Sequence, residues 1–171
     1  MGITPRFSNQ EMLRELQGGY RKIENGIIRI LQRVGEIFVT DARDGMNIST
    51  SAFPKGDYQD RTKALRSSVG YFVLKDGEII SYNLQGSSTG TVAARAVLGT
   101  IPNKQGYQLV CVAGMYYASQ LESKGYNVIT SQGEIAIVNV ERLLDKFRNK
   151  MNKLGAGVDF DMNDIVMNVT R

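Results

Sequence analysis

The stretch VGYFVLKDGEIISY, residues 69–82, changes the pattern of the chain from helical to extended and decides the class of fold. Two runs rich in β-branched and aromatic residues flank the pair Asp76-Gly77. An Asp-Gly pair between such runs is a strong signal for a β-hairpin with a two-residue turn. The stretch therefore predicts two antiparallel strands joined by a tight turn.

Downstream of this hairpin, three apolar stretches predict further strands at 107–112, 126–130 and 134–138. A short Ala-rich helix is predicted at 91–98, after a Gly- and Ser-rich loop at 85–90. From about Asn139, apolar side chains recur every three or four residues and predict a C-terminal helix.

Upstream of the hairpin, apolar side chains between Tyr20 and Phe38 recur at steps of three and four residues. This spacing places them on one face of a long helix. A capping box, Ser8 with Glu11, precedes the pattern. Gly26 and Gly35 fall within it, so either they allow close packing against a neighbour or the helix is weaker there.

The strands are grouped and do not alternate with long helices, which predicts an α+β fold. We expect an antiparallel sheet of about four to five strands, with a long N-terminal helix and a C-terminal helix packed on one face. Residues 1–156 form a single domain in this interpretation. Residues 157–171 form a C-terminal extension that is loosely structured or ordered only against a partner.

Composition restricts the chemistry of the chain, which has 171 residues and a net charge of +4. It contains no histidine and a single cysteine, Cys111. This excludes Ser-His-Asp and Cys-His catalysis and His- or Cys-rich metal sites. We expect no metal, no cofactor and no enzyme activity. No apolar run is long enough to span a membrane, and the expected compartment is a reducing cytoplasm.

Two polar stretches resemble ligand loops only in composition. Residues 86–91 are rich in Gly, Ser and Thr but lack the lysine of a phosphate-binding loop. Asp159, Asp161 and Asp164 do not match the spacing of a calcium-binding loop. We interpret the first as a loop and the second as a solvated acidic tail.

Three segments together resemble a known family. Residues 57–69 resemble the pattern Y-x-D-R-T-G-x-L-R-x-S-I, with Lys63 in place of the glycine. Residues 116–125 are similar to x-Y-A-x-x-V-E-x-G, with Leu121 in place of a β-branched residue. Residues 34–43 match V-G-E-x-x-V-x-x-A-R. These patterns are those of the lambdoid tail-completion (head–tail joining) family, which are minor tail components of tailed phages.

The resemblance covers roughly residues 20–153 and implies a structural virion protein with an α+β fold. Such a protein forms a ring of six or twelve copies at the head-proximal end of the tail. Its partners would be copies of itself, neighbouring neck and tail-tube proteins, and DNA passing through the lumen. It would be found in the virion, and in the host cytoplasm during assembly. Residues 85–106 look like an insertion relative to this family.

The resemblance also implies roles for the motif residues. Asp60 and Thr62 would cap a short helix that runs through Leu65, while Arg61 and Arg66 would pair with carboxylates or face a neighbouring subunit. In the second motif, Tyr117 and Glu122 would fix the turn beside the central strand. Gly125 would allow the helix that contains Glu122 to end in a left-handed conformation.

Other functions remain open from the sequence alone. A tail terminator or a head-closure protein is also a small ring-forming virion component. A nucleic-acid-binding accessory protein would need a concentrated basic surface. A hydrolase or transferase that uses carboxylates would depend on a residue such as Glu122.

Overall fold

Helices and strands alternate irregularly along the chain in a computed structural model, which describes residues 8–44, 64–85, 88–102, 105–155, 157–158 and 165–170. The elements are α1 Asn9–Asp44, α2 Ala64–Ser68, β1 Val69–Lys75, β2 Glu78–Leu84, α3 Ser88–Leu98, β3 Tyr107–Ala113, α4 Ala118–Ser123, α5 Thr130–Lys153 and β4 Ile165–Thr170.

The four strands form one sheet in the order β2-β1-β3-β4. β1 is antiparallel to both β2 and β3, whereas β4 runs parallel to β3. The predicted hairpin is present, and Asp76 and Gly77 have φ values of 51° and 85°. Positive φ at both central residues is what a type I′ hairpin turn requires.

The predicted fold class is confirmed. The molecule is α+β, with a long N-terminal helix and a mostly antiparallel four-stranded sheet against which the C-terminal helix packs. The first three predicted strands correspond to β1, β2 and β3.

The fourth and fifth predicted strands are wrong. Residues 126–129 form no strand, and 130–138 belong to the first half of α5. The apolar run at 135–138 is compatible with a strand or a helix when periodicity alone is read. The burial of Gly133, Ala136, Val140 and Leu144, at steps of three and four residues, is helical. α5 therefore begins nine residues earlier than predicted.

The prediction of a loosely structured or partner-ordered extension is wrong for residues 165–170. These residues form β4, and Ile165 pairs with Tyr107 while Thr170 pairs with Val112 of the same chain. Three aspartates at 159, 161 and 164 precede the strand and led to the interpretation of an acidic tail, although the sequence IVMNVT is rich in β-branched residues.

Helices cover both faces of the sheet, contrary to the prediction of a single covered face. Tyr71, Val73 and Cys111 point into the larger core, which includes α1 and α5. On the opposite face, Phe72 and Val110 pack with α3 in a smaller core. Because residues 88–98 form α3, the segment interpreted as an insertion supplies the cover for this second face.

α1 lies directly against β1 at Gly35. A methyl group added at Gly35 would lie 2.5 Å from Cγ of Tyr71, well inside van der Waals contact. Beside this contact, Glu36 accepts hydrogen bonds from the Tyr71 hydroxyl at 2.9 Å and from the Asn83 amide at 2.8 Å. Gly26 similarly lies under the ring of Phe147 on α5. The sequence left open whether these glycines allow close packing or weaken the helix. The structure shows close packing at both.

We expect Gly35→Ala to lower the free energy of unfolding by about 1–3 kcal/mol, because the added methyl group overpacks the α1–β1 contact. The matched control is Gly18→Ala in the same helix, where no atom lies within 4 Å of the added methyl group. This control is expected to raise stability by up to about 1 kcal/mol through helix propensity. Urea unfolding of both variants checks the pair, and equal effects would contradict the close contact.

Candidate functional site

Part of the first motif lies outside the described residues, including Asp60, Arg61 and Thr62. The next two motif residues lie on α2. Leu65 is 3% exposed and belongs to the larger core. Arg66 donates a hydrogen bond from Nη1 to the backbone carbonyl of Arg43 at 3.0 Å. α2 is therefore held against the C-terminal end of α1.

Arg43, the last residue of the third motif, joins the end of α1 to the sheet. Its Nη2 donates to the carbonyl of Val69 at 2.7 Å, and its Nη1 donates to Oε1 of Gln85 at 3.1 Å. Burial lowers the pKa of the Arg43 guanidinium from its ordinary value, and nearby Glu36 opposes this shift. The sequence marked Arg43 only as the end of a helix motif, and its partners became visible only in the fold.

Glu122 is the most thoroughly bonded of the predicted site residues that the structure describes. It lies on α4 and is 9% exposed. Its Oε1 accepts hydrogen bonds from the backbone N–H of Ile129 at 2.9 Å, Thr130 at 3.0 Å and Val128 at 3.3 Å. The Thr130 hydroxyl donates to Oε2 at 2.5 Å. One carboxylate thus accepts hydrogen bonds from the backbone N–H groups at the beginning of α5.

The first turn of a helix has N–H groups without helical partners and a partial positive charge. The N-cap residue of α5, Ile129, makes no side-chain capping bond. Glu122 supplies the acceptor from a different helix. Both of its carboxylate oxygens are engaged in this way, so the geometry assigns Glu122 a positioning role.

A second polar group lies beside this junction. The Asn127 side chain donates to Oγ of Ser131 at 2.6 Å, and the Ser131 hydroxyl donates to Oε1 of Gln132 at 2.9 Å. All three residues are buried. The sequence did not predict this group. Ser131 and Gln132 precede Gly133, and this segment was interpreted as a turn between two predicted strands.

The remaining two predicted residues lie at the two ends of α4. Tyr117 immediately precedes the helix, is half-buried and packs against the larger core. Its ring meets that of Tyr116 edge-on, with centroids 5.3 Å apart. Gly125 follows the helix with a φ of 84°, a conformation that glycine adopts without strain. The second motif therefore forms a corner between β3 and α5.

Cys111 is fully buried, and this burial raises the pKa of its thiol. The described side chains contain no cluster of three or more His, Cys, Asp or Glu residues that could hold a metal ion. Within the described ranges, no helix combines the length and apolar character that a membrane crossing requires.

Exposed apolar side chains are concentrated on three elements. The first is the beginning of α1, residues 9–22, which we call the N-terminal arm. The second is the outermost strand β2, and the third is the first half of α5. The apolar side chains exposed on these elements are Met12, Leu13, Leu16 and Tyr20 on the arm, Ile79, Ile80 and Tyr82 on β2, and Ile135, Ile137 and Val138 on α5. Such surfaces are typical of sites where proteins associate.

The second half of α5 exposes a basic stripe. It consists of four side chains at i, i+4, i+8 and i+11, which lie on one helix face: Arg142, Lys146, Lys150 and Lys153. The stripe is about 17 Å long at 1.5 Å per residue. Arg148 lies off this face and pairs with Asp145 at 2.7 Å.

We expect Glu122→Ala to lower the free energy of unfolding by about 3 kcal/mol, because it leaves buried N–H groups at the start of α5 without an acceptor. Glu134→Ala is the control, since Glu134 is an exposed residue of the same helix just beyond its first turn. We expect it to change stability by no more than about 0.5 kcal/mol. Urea unfolding measures both, and equal losses would contradict the positioning role.

No protein-family model, no curated protein and no solved structure matches this chain.

Proposed function

We propose that this protein is a structural subunit of a tailed-phage virion. Its copies contact one another through unlike surfaces and form a closed ring. In this proposal the ring is the tail-completion component at the head-proximal end of the tail. The observation that carries the proposal is that the two ends of the sheet present different surfaces, each suited to contact another chain.

One end of the sheet is β2. It is the outermost strand on that side, so its outer backbone groups face away from the sheet. Ile79 and Ile80 are each 42% exposed, and Tyr82 is 51% exposed. The pairing register between β1 and β2 shifts between Val73 and Leu74, as it does at a β-bulge. Natural proteins use such bulges to limit uncontrolled pairing at an open edge.

The other end is β4 together with α5. Gly133 of α5 lies against the side chain of Val169 on β4. The same half of α5 exposes Ile137 and Val138, at 38% and 61%. This surface combines a strand edge with an apolar helix, and it differs in composition and shape from the β2 end.

Two unlike surfaces at opposite ends of a sheet support head-to-tail contact, in which one patch binds the other patch of the next copy. Contacts of this kind form a ring when the rotation between neighbours closes. An isologous dimer would instead need a single self-complementary patch. The arrangement therefore favours a closed ring over a simple pair as the assembled state.

The motif residues support a structural role over a catalytic one. Those that the structure describes lie at the α1–sheet junction, on α2 and at the α4 corner, and they bond mainly to backbone groups. A carboxylate enzyme that relies on Glu122 is disfavoured, because both oxygens of that residue are occupied.

Further parts of the proposal follow the family resemblance. We infer six or twelve copies per ring, neck and tail-tube proteins as neighbours, and DNA passing through the lumen. A tail terminator or a head-closure ring would use the same two-ended subunit and remains the alternative within this class.

We expect the concentrated protein to form closed rings of one size, six or twelve subunits, visible by negative-stain electron microscopy and as a discrete mass by light scattering. Ile80→Asp is expected to abolish the rings, because it places a charge on the β2 surface. Val92→Asp is the control on an exposed position of α3. Rings that survive Ile80→Asp, or a wild-type protein that forms none at any concentration, would contradict this proposal.

A nucleic-acid-binding accessory protein is the second candidate, and the basic stripe on α5 favours it. Four lysine and arginine side chains on one helix face can together contact the phosphates of a nucleic acid. In a ring, the same stripe would line a channel through which DNA passes without tight binding.

The salt dependence of DNA binding distinguishes these two roles. For the structural role, we expect weak binding of duplex DNA that disappears at physiological salt. The logarithmic salt slope should be no steeper than about −3.6, for four phosphate contacts. The double variant Lys146→Glu with Lys150→Glu should reduce this slope, and the control Lys124→Glu should not. Binding that persists above physiological salt would support the accessory protein; fluorescence anisotropy measures both.

A further inference from the structure

The N-terminal arm is a helix that extends beyond the core of its own chain. The first buried residue of α1 is Ile27, and every residue from 9 to 22 is exposed except the half-buried Gly18. At 1.5 Å per residue, the arm is about 21 Å long. Its start is fixed by the capping box, in which Glu11 accepts a hydrogen bond from the backbone N–H of Ser8 at 2.8 Å.

The apolar face of the arm continues the face that the core covers further along α1. Met12, Leu13, Leu16 and Tyr20 lie on the same side of the helix as Ile27. Their exposed fractions are 44, 56, 65 and 61%. An isolated helix of this length is marginal in water, and an amphipathic helix normally gains its stability by packing its apolar face. An apolar helix face exposed in this way is typical of a surface that another chain covers.

We propose that the occupant is the arm of a second copy of this chain, packed antiparallel. Charge complementarity favours this pairing. The first half of the arm carries Glu11, Arg14 and Glu15, and the second half carries Arg21 and Lys22. An antiparallel pair places the net acidic half of each copy beside the basic half of the other, whereas a parallel pair aligns like charges.

The side chains also complement one another in this direction. With Leu16 at the centre, Leu16 packs on its own counterpart and Met12 packs on Tyr20 of the second copy. A thioether against an aromatic ring is a favourable contact. Gly19 borders this face, three residues after Leu16, and no atom lies within 4 Å of a methyl group added there. The second helix can therefore approach closely beside Gly19.

The pair is a state of the free protein and is independent of the proposed ring. Its symmetry is a two-fold axis across the arms. A head-to-tail ring with a direction along its channel has no such axis between neighbours, so entry into that ring separates the pair. The short contact suits this requirement, because it is small compared with a stable dimer interface. Pairing would keep the apolar arm covered before assembly.

Sedimentation equilibrium over a dilution series, at concentrations below ring formation, tests the pair. The wild-type protein should change from two chains to one on dilution. Leu16→Glu should weaken the pairing at least about 100-fold, because it places two charges at the centre of the contact. Val92→Glu is the matched control, since Val92 is 67% exposed on α3 and Leu16 is 65% exposed. A monomeric wild-type protein throughout, or pairing that Leu16→Glu leaves unchanged, would overturn the proposal.

Disulfide trapping tests the direction of the pair. A mixture of Met12→Cys and Tyr20→Cys proteins should form a mixed disulfide, while Met12→Cys alone should not, and the buried Cys111 does not interfere. Efficient self-crosslinking of Met12→Cys alone would mean a parallel pair and would overturn the antiparallel assignment. Rings that form without any two-chain species would refute the pair and leave the proposed function intact.

Discussion

The contact between α1 and β1 is the constraint on which the rest of the structure depends. Gly35 lets the helix backbone rest on the ring of Tyr71, and Glu36 bonds the hydroxyl of that ring. Burial first, and then this hydrogen bond, raise the pKa of Tyr71 to about 12. At the end of the helix, Arg43 bonds the first carbonyl of β1. These contacts fix the axis of α1 relative to the sheet. α5 then packs beside α1 in the larger core.

The second constraint is polar and acts where α4 meets the start of α5. The Glu122 carboxylate holds the start of α5 against the corner formed by α4, and Gly133 then brings α5 close to β4. These two contacts determine which part of α5 is covered and which part remains available. The apolar first half and the basic second half of its outer face follow from this placement.

Much of the fold could be predicted because its signals are local. The hairpin at 69–82, the long helix and the central strand each have a pattern that a short window contains. α5 was misread in its first half because β-branched residues suit either element, and only contacts with the sheet decide between them. β4 was missed because its pairing with β3 is a long-range interaction. In the candidate site, the family resemblance identified Glu122 as a motif residue. Its hydrogen-bond partners at 128–130 became visible only in the fold. Glu36 and Arg43 formed part of a motif, yet their partners lie more than twenty residues away in sequence.

The parallel pairing of β4 has a consequence for the order of folding. Ile165 pairs with Tyr107, 58 positions earlier in the chain, and α4 and α5 lie between them. Closing a loop of this length costs entropy before any strand contact forms, whereas the β1–β2 hairpin closes locally. We therefore expect the hairpin and β3 to assemble first and β4 to join last. A sheet that still lacks β4 would expose the edge of β3 to other chains, which is a route to aggregation.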